Sequence, residues 1–222
     1  MGERRLAGFA GLSAMRAPQD AGLLPLPAQR YFFLTVMMLA AAVAAYIYLD
    51  EMITTLLAPV QGTVFRGVVS KLSRLGKSHW YLVPAAGVYA ACRWRYRLVA
   101  SRAGYVFMSV ALTGIAANIL KIIFGRPRPR VFLEQGDSAI GWFELDSALR
   151  SMPSGHATTF AAVAVAFAVM FPRYRVLILI AGVLLSLGRV ITLDHYVSDV
   201  VAGLALGAAG TLLLSKRFVI RG

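Results

Sequence analysis

Six apolar segments dominate the chain and leave little sequence for a soluble core. They cover residues 31–49, 79–93, 103–124, 154–172, 174–192 and 197–215. A helix needs about 20 predominantly apolar residues to cross a bilayer. The second segment is short and contains Pro84, which a membrane helix tolerates when its neighbours bind the freed carbonyl. We therefore predict an all-α, polytopic membrane protein with six transmembrane helices in residues 31–222.

Composition argues against the main soluble classes. The chain is 59% hydrophobic and only 15% charged, whereas a soluble domain is about half apolar and a quarter charged. Its net charge of +13 could suggest nucleic acid, but in so apolar a chain excess Lys and Arg are typical of cytoplasmic loops and anionic headgroups. No nucleic-acid partner is expected. The single Cys92 excludes an internal disulfide and a paired-cysteine metal or redox site.

Three segments lie outside the predicted spans. Residues 1–30 are interpreted as a cytoplasmic tail. Residues 52–77 carry apolar side chains at helical spacing with basic residues elsewhere on the wheel, a pattern typical of a helix that lies in the membrane interface. Residues 125–152 mix proline, glycine and acidic residues, which predicts a loop outside the bilayer.

The distribution of charge indicates the orientation. With the N-terminus inside, the cytoplasmic side receives 13 basic and two acidic residues, and the opposite side receives ten basic and eight acidic residues. The net charges are then +11 inside and +2 outside, as the positive-inside rule favours. We therefore predict that both termini lie in the cytoplasm, and we take the membrane to be a bacterial inner membrane.

Three polar clusters fall at the same, outer face of the membrane under this topology. "KIIFGRPRPR" ends the third span, "PSGH" begins the fourth, and "LGRVITLDHYVSD" joins the fifth to the sixth. Their basic residues persist on that side against the orientation rule, and anion binding would explain them. They are Lys121, Arg126, Arg128, Arg130 and Arg189.

Several of these residues can bind phosphate. Lys121, Arg128 and Arg189 can surround the anion, arginine by bidentate contact and lysine as a point charge. Ser154 and Gly155 lie where the fourth span begins, so free backbone N–H groups and the positive end of the helix dipole are available there.

Two histidines and one carboxylate suggest the chemistry. His195 and Asp199 are four residues apart, so on a helix they share a face and the carboxylate can orient the imidazole. His195 would attack phosphorus to give a phosphohistidine, while His156 protonates the leaving oxygen and then helps to activate water. The cations would stabilise the charge on the phosphoryl oxygens. This scheme requires no metal ion and no cofactor.

Simpler interpretations exist for the individual residues. Lys121 could extend its amine from a helix end to the interface. Arg126 and Arg130 could be headgroup anchors, an interpretation that we favour for Arg130. Asp194 fits a residue at the rim of the site.

The same residues resemble a known family, the type-2 phosphatidic acid phosphatase superfamily, over about residues 30–215. Its three motifs are matched in order by K-x6-R-P at Lys121 to Pro129, by P-S-G-H at Pro153 to His156, and by R-x5-H-x3-D at Arg189, His195 and Asp199. The resemblance implies a six-helix membrane lipid phosphatase in which these residues have the roles given above. The chain departs from the family at Gly188, where the third motif usually begins with serine.

We therefore predict a phosphatase that acts on a lipid phosphate at the outer, periplasmic face of the membrane. The resemblance offers phosphatidic acid, phosphatidylglycerol phosphate, undecaprenyl diphosphate or lipid A phosphates as substrates. Loop 130–152, with Phe132, Trp142 and Phe143, is expected to help select the headgroup. A transporter or binding protein for phosphate-bearing lipids is the alternative. A vanadate-dependent haloperoxidase, whose site shares these motifs by resemblance, is a weaker alternative because those enzymes are soluble proteins.

Overall fold

A computed structural model describes residues 28–218, and within that range the chain forms helices and connecting segments without a β-strand. The helices are α1 (Ala28–Tyr48), α2 (Asp50–Leu57), α3 (Val64–Ser73), α4 (His79–Cys92), α5 (Arg97–Phe124), α6 (Pro129–Gln135), α7 (Gly155–Met170), α8 (Arg175–Ile191) and α9 (Val197–Phe218). The six apolar segments of the sequence correspond to α1, α4, α5, α7, α8 and α9. The predicted tail, residues 1–30, lies outside the described residues except for its last three.

The all-helical membrane architecture is confirmed, but the number of spans is not. Four stretches are long and apolar enough to cross a membrane, namely Gln29–Tyr48, Arg97–Gln135, Pro172–Ile191 and Val197–Ser215. A fifth span results if Asp50–Gly62 and Val64–Cys92, which meet at a bend of 108°, count as one. Helix α7 has only 16 residues. The number of six transmembrane spans therefore stays a prediction.

The segment between α1 and α4 is helical, as the spacing of its apolar residues predicts, but it is broken into four pieces. Helix α2 continues into a 3-10 turn, Ala58–Gly62, and α3 continues into a second one, Arg74–Gly76. Thr63 separates the two halves with an extended backbone, and its hydroxyl caps α3 by accepting from Arg66 N at 3.2 Å. Helix α3 then packs against α8.

Residues 125–152, predicted to be a loop, contain the short helix α6 and a 3-10 turn, Ser147–Leu149. Pro129 occupies the first turn of α6, where its missing N–H costs nothing. Gly136 ends α6 in the left-handed conformation, with φ of 75°. The predicted loop therefore contains a short helix, which begins at Pro129, the last residue of the K-x6-R-P motif.

Helix α7 lies at the centre of the bundle, in contact with α5, α8 and α9. Its partner α9 approaches it through two glycines four residues apart: a Cβ on Gly203 would lie 2.5 Å from Ser154 O, and one on Gly207 would lie 2.3 Å from Thr158 O. Small residues at this spacing let membrane helices approach closely. The contact places the start of α9, with Asp199, beside the start of α7.

Candidate active site

His195 lies in the connection between α8 and α9 and is 3% exposed. Its Nδ1 is 3.5 Å from Asp199 Oδ2 and 3.3 Å from Ser151 Oγ. The structure thus brings together the two residues that the spacing of four predicts to share a face. With Nδ1 directed at these oxygens, Nε2 is the ring nitrogen left to face a substrate.

Burial keeps the His195 imidazole neutral. Removal from water lowers the pKa of His195 to about 3, and the opposing effect of the nearby Asp199 does not compensate. The charges of Lys121 and Arg128 lower this pKa further. A neutral imidazole with its Nδ1 proton held by an acceptor has a free electron pair on Nε2, which a nucleophile requires.

Asp199 is held from several directions. Its Oδ1 accepts from Arg126 Nη1 at 3.0 Å, and its Oδ2 accepts from Tyr196 N at 2.9 Å and from the Ser151 hydroxyl. Since Asp199 is fully buried, these bonds are what stabilise its charge away from water. The carboxylate is therefore fixed in position beside His195.

Arg126 is part of this buried network, so its interpretation as a headgroup anchor was wrong. Its guanidinium is 0% exposed and bridges Asp199 and Asp50, the latter through Nη2 to Oδ2 at 2.9 Å. It also lies over two aromatic rings, with its Cζ 3.8 Å from the Tyr196 centroid and 4.6 Å from that of Tyr46. Planarity and several donors suit arginine to such a buried bridge.

Three members of the network, Asp50, Ser151 and Ser198, were missed by sequence reasoning, and the Ser198 hydroxyl accepts from Arg126 Nη1 at 2.7 Å. Asp50 accepts from Arg126 and from Ser198 N at 2.9 Å, and Ser151 bonds Asp199 as described above. An acidic residue directly after an apolar span was a usable signal for Asp50, because ionisable groups at the edge of a membrane are costly and usually have a partner. Ser151 carries no comparable signal in the sequence.

Lys121 turns inward instead of extending to the interface. Its Nζ donates to the carbonyls of Arg150 and Ser151, both at 3.0 Å, so the interpretation as a lysine that reaches the interface was wrong. A Cβ on Gly155 would lie 3.8 Å from Lys121 Cε, which places the amine beside the start of α7. Arg128 and Arg189 are within electrostatic range of the same amine.

The three arginines of the site differ in how many of their donors are used. Arg128 donates through Nε to Ser147 O at 2.9 Å and through Nη1 to Asp194 O at 3.2 Å. Arg189 and Arg150 each have a buried Nε without a hydrogen-bond partner in the described part of the chain. Arg150, which sequence reasoning missed, lies within electrostatic range of both Lys121 and Arg128. The free donors and the excess of positive charge are suited to an anion.

Asp194 and Arg130 are members of an ion-pair cluster at the edge of the site. Asp194 lies 3.1 Å from Arg189 Nη1 and 3.0 Å from Arg130 Nη2, and it accepts from the Thr192 hydroxyl at 2.7 Å. Burial alone would raise the pKa of Asp194, but these partners lower it below its usual value. Asp194 thus orients Arg189. It also pairs with Arg130, whose side chain is 51% exposed, so the role of Arg130 as a headgroup anchor stays a prediction.

The first turn of α7 supplies backbone donors, although not all those expected. Ser154 is buried, its N–H donates to Asp199 O at 2.9 Å, and its hydroxyl caps α7 by accepting from Ala157 N. Within the described residues the N–H groups of Gly155 and His156 have no partner. These two groups, at the positive end of the helix dipole, are the ones available to an anion.

His156 is half-buried and lies within electrostatic range of Lys121 and Arg189. The two histidines therefore face one region, His195 from the α8–α9 connection and His156 from α7. Among residues 28–218 no group of three or more His, Cys, Asp or Glu side chains could hold a metal ion. The cations around this region are Lys121 and the arginines, and Asp194 and Asp199 are the nearby carboxylates.

Comparisons with known proteins identify related phosphatases. Residues 102–221 match the family model of the PAP2 superfamily. A lipid A 1-phosphatase of Rhizobium johnstonii is 33% identical over 96% of this chain and 89% of its own length. A lipid A 1-phosphatase of Rhizobium etli is 44% identical over 49% of this chain and 47% of its own length.

One solved structure has a similar fold. It is a transmembrane PAP2-type phosphatidylglycerolphosphate phosphatase from Bacillus subtilis, with a TM-score of 0.62 over 87% of this chain and 96% of that one. At 22% identity, this likeness supports the arrangement of the helices alone.

Proposed function

The chain belongs to the PAP2 superfamily, and on that premise we propose that it removes the 1-phosphate of lipid A through a phosphohistidine formed on His195. The chain is a membrane lipid phosphatase, as its family and its full-length relative show. Transport and haloperoxidase chemistry, the alternatives considered from the sequence, have no support from these relatives.

Lipid A is the substrate that the relatives favour among the four candidates. The similarity to the Rhizobium johnstonii lipid A 1-phosphatase extends over 96% of this chain. It therefore includes the segments around the site as well as the three motifs. The Bacillus subtilis structure does not argue for phosphatidylglycerol phosphate as the substrate of this chain, because a likeness at 22% identity concerns the fold alone.

The observation that carries the mechanism is the geometry of His195. In the first step Nε2 attacks phosphorus, a P–N bond forms, and the bond from phosphorus to the lipid oxygen breaks. The imidazole becomes positively charged, and Asp199 at 3.5 Å from Nδ1 stabilises that charge. His156 gives a proton to the departing oxygen, which would otherwise leave as a costly alkoxide.

The second step releases phosphate. His156, now without its proton, takes one from a water molecule that attacks phosphorus opposite His195. The P–N bond breaks, its electron pair returns to Nε2, and inorganic phosphate leaves. Both histidines are then in their starting protonation states, so the cycle is closed.

The cations bind the phosphoryl oxygens in both steps. Lys121 and Arg128 are held by carbonyl oxygens, while Arg189 and Arg150 keep a buried Nε free. The N–H groups of Gly155 and His156 add two further donors. Donors fixed before the reaction stabilise developing charge without reorganisation, and they suffice without a metal ion in this mechanism.

The placement of the site follows from the charge distribution. The net charge of +11 on the side of the termini supports cytoplasmic ends and therefore an active site at the periplasmic face of the inner membrane. Trp142 and Phe143 are 54% and 73% exposed in the connection between α6 and α7. They support a role for this loop in contacting the lipid headgroup.

The test is an assay on the purified protein in detergent, with chelator present. Lipid A, phosphatidic acid, phosphatidylglycerol phosphate and undecaprenyl diphosphate are supplied separately, and released phosphate is measured. We expect the highest kcat/KM on lipid A, with mass spectrometry showing loss of the 1-phosphate. Faster hydrolysis of another lipid would refute the substrate, and activity lost with the chelator would refute the metal-independent mechanism.

A further inference from the structure

The 3-10 turn Arg74–Gly76 packs directly on the first turns of α7. Gly76 is buried, and a Cβ built on it would lie 2.8 Å from His156 Cδ2, 2.9 Å from His156 Cβ and 2.8 Å from Phe160 Cε2. Real Cβ atoms are essentially never so close to other heavy atoms. Only glycine lets this turn approach the imidazole at that distance.

What holds the His156 ring in place differs from what holds the His195 ring. The described part of the chain offers the His156 ring no hydrogen bond or ion pair, whereas His195 Nδ1 is directed at Ser151 and Asp199. A histidine without such partners is held in its rotamer by the atoms that surround it. The turn at Gly76 is one of those surfaces.

The same segment is anchored to α8 on its other side. Ser73, three residues before Gly76, faces Gly188: a Cβ at Gly188 would lie 2.7 Å from Ser73 Oγ and 3.2 Å from Val69 Cγ1. Gly188 directly precedes Arg189. The segment from Ser73 to Gly76 therefore lies between the helix that carries His156 and the helix that carries Arg189.

We propose that Gly76 is a positioning residue for catalysis, which holds the His156 imidazole in line with the leaving oxygen through the close packing of the turn Arg74–Gly76. The inference rests on the proposed function, in which His156 supplies the proton. A methyl group at position 76 displaces either the ring or the turn. A displacement of about 1 Å in a reacting group can reduce a rate by about 100-fold.

The experiment separates proton donation from binding and folding by changing the leaving group. A lipid phosphate needs a proton on its departing alcohol oxygen, whereas 4-nitrophenyl phosphate releases a stable phenolate that needs none. The variants are Gly76→Ala, His156→Gln and Gly67→Ala. Gly67→Ala is the matched control, because the same methyl group on the neighbouring helix α3 would meet nothing within 4 Å. The first turnover is followed with each substrate, so that phosphohistidine hydrolysis does not limit the signal.

We expect G76A to lose about 100-fold on the lipid phosphate and less than about 5-fold on 4-nitrophenyl phosphate, as H156Q does. G67A should stay within about twofold of the unmodified protein on both substrates. If G76A alone does not fold, the double variant G76A/F160L, in which the Phe160 ring no longer blocks the methyl group, is measured with the same expectation.

Two results would overturn the inference alone: an equal loss on both substrates in G76A, or no loss on either, while H156Q shows the selective loss. If H156Q itself shows no dependence on the leaving group, the general-acid role in the proposed function fails and the inference fails with it. The two failures are therefore distinguishable in one set of measurements.

Discussion

Removing the guanidinium of Arg126 should destabilise the protein far more than removing that of Arg130, which lies four residues later in the chain. Arg126 donates to Asp199 at 3.0 Å, to Asp50 at 2.9 Å and to Ser198 at 2.7 Å, with both carboxylates buried. Arg126→Met keeps most of the volume but leaves two buried carboxylates without their cation.

Breaking a buried ion pair by removing one partner costs about 3–5 kcal/mol. The two losses do not simply add, because Asp50 keeps its bonds from Ser198 and Asp199 keeps those from Ser151 and Tyr196. In a chain of this length each 1 kcal/mol shifts Tm by about 2–4 °C. The expected decrease in Tm for R126M is therefore roughly 6–20 °C.

Thermal unfolding in detergent measures this effect, with Arg130→Met as the control. The Arg130 side chain is 51% exposed and pairs with Asp194, and an exposed pair contributes about 0–1 kcal/mol. R130M should therefore shift Tm by less than about 4 °C. A second variant, D50N/R126M, removes one of the two carboxylate charges together with the cation and should recover part of the lost stability.

Equal and small shifts in R126M and R130M would refute the reasoning. That result would mean that Arg126 contacts water or headgroups, as an interfacial anchor does, and that its contribution to holding Asp199 is negligible. A decrease in Tm for D50N/R126M larger than that for R126M would likewise contradict an electrostatic origin.

The remaining predictions concern the site and its surroundings. Arg150→Gln should lower kcat/KM for lipid phosphate by about 10- to 100-fold, the value of one lost charge-assisted hydrogen bond, with Tm nearly unchanged; an unaltered kcat/KM would remove Arg150 from the anion site. His195→Gln should abolish phosphate release and also the acid-labile labelling of the protein by radioactive phosphate from the substrate, and persistent turnover would contradict the assignment of His195 as the nucleophile. The same variant tests the pKa of His195: because burial lowers it to about 3, the folded protein binds fewer protons than the unfolded one between about pH 6.5 and pH 3, so stability falls as the pH falls through that window. The free energy of unfolding of H195Q should therefore fall less over the same window, the difference being up to about 1.4 kcal/mol per pH unit. Identical pH dependences in the two proteins would refute the lowered pKa of His195. Gly188→Ser, which restores the residue usual in the family, should overpack against Ser73 Oγ and cost about 1–3 kcal/mol, and adding Ser73→Gly should recover most of it; a Tm unchanged in G188S would show that α3 does not pack as closely as described.

Much of the helical architecture follows from local patterns. The apolar segments correspond to α1, α4, α5, α7, α8 and α9 because a chain in lipid must satisfy its backbone hydrogen bonds internally, and a helix does so within one segment. The break at Thr63 and the helix α6 were not predicted. Both depend on single capping residues, whose effect is weaker than that of a long apolar run.

The candidate residues were also accessible from the sequence, since ionisable groups at membrane-span ends rarely occur without a function. Their spacing predicted that His195 and Asp199 would meet, and they do, with the Nδ1 of the histidine 3.5 Å from the carboxylate. The catalytic and phosphate-binding roles stay predictions until the variants above are measured.

What the sequence by itself determined is the membrane-embedded helical class, the set of polar residues at one face, and the resemblance that joins them to a phosphatase family. The tertiary structure decided which of those residues are partners. It placed Arg126 inside a buried network with Asp50, turned Lys121 toward carbonyl groups, and set the turn at Gly76 against His156. Periodicity shows which face of a helix is apolar, but contacts between residues about 30 to 80 positions apart depend on how the helices pack, and no local pattern records that packing.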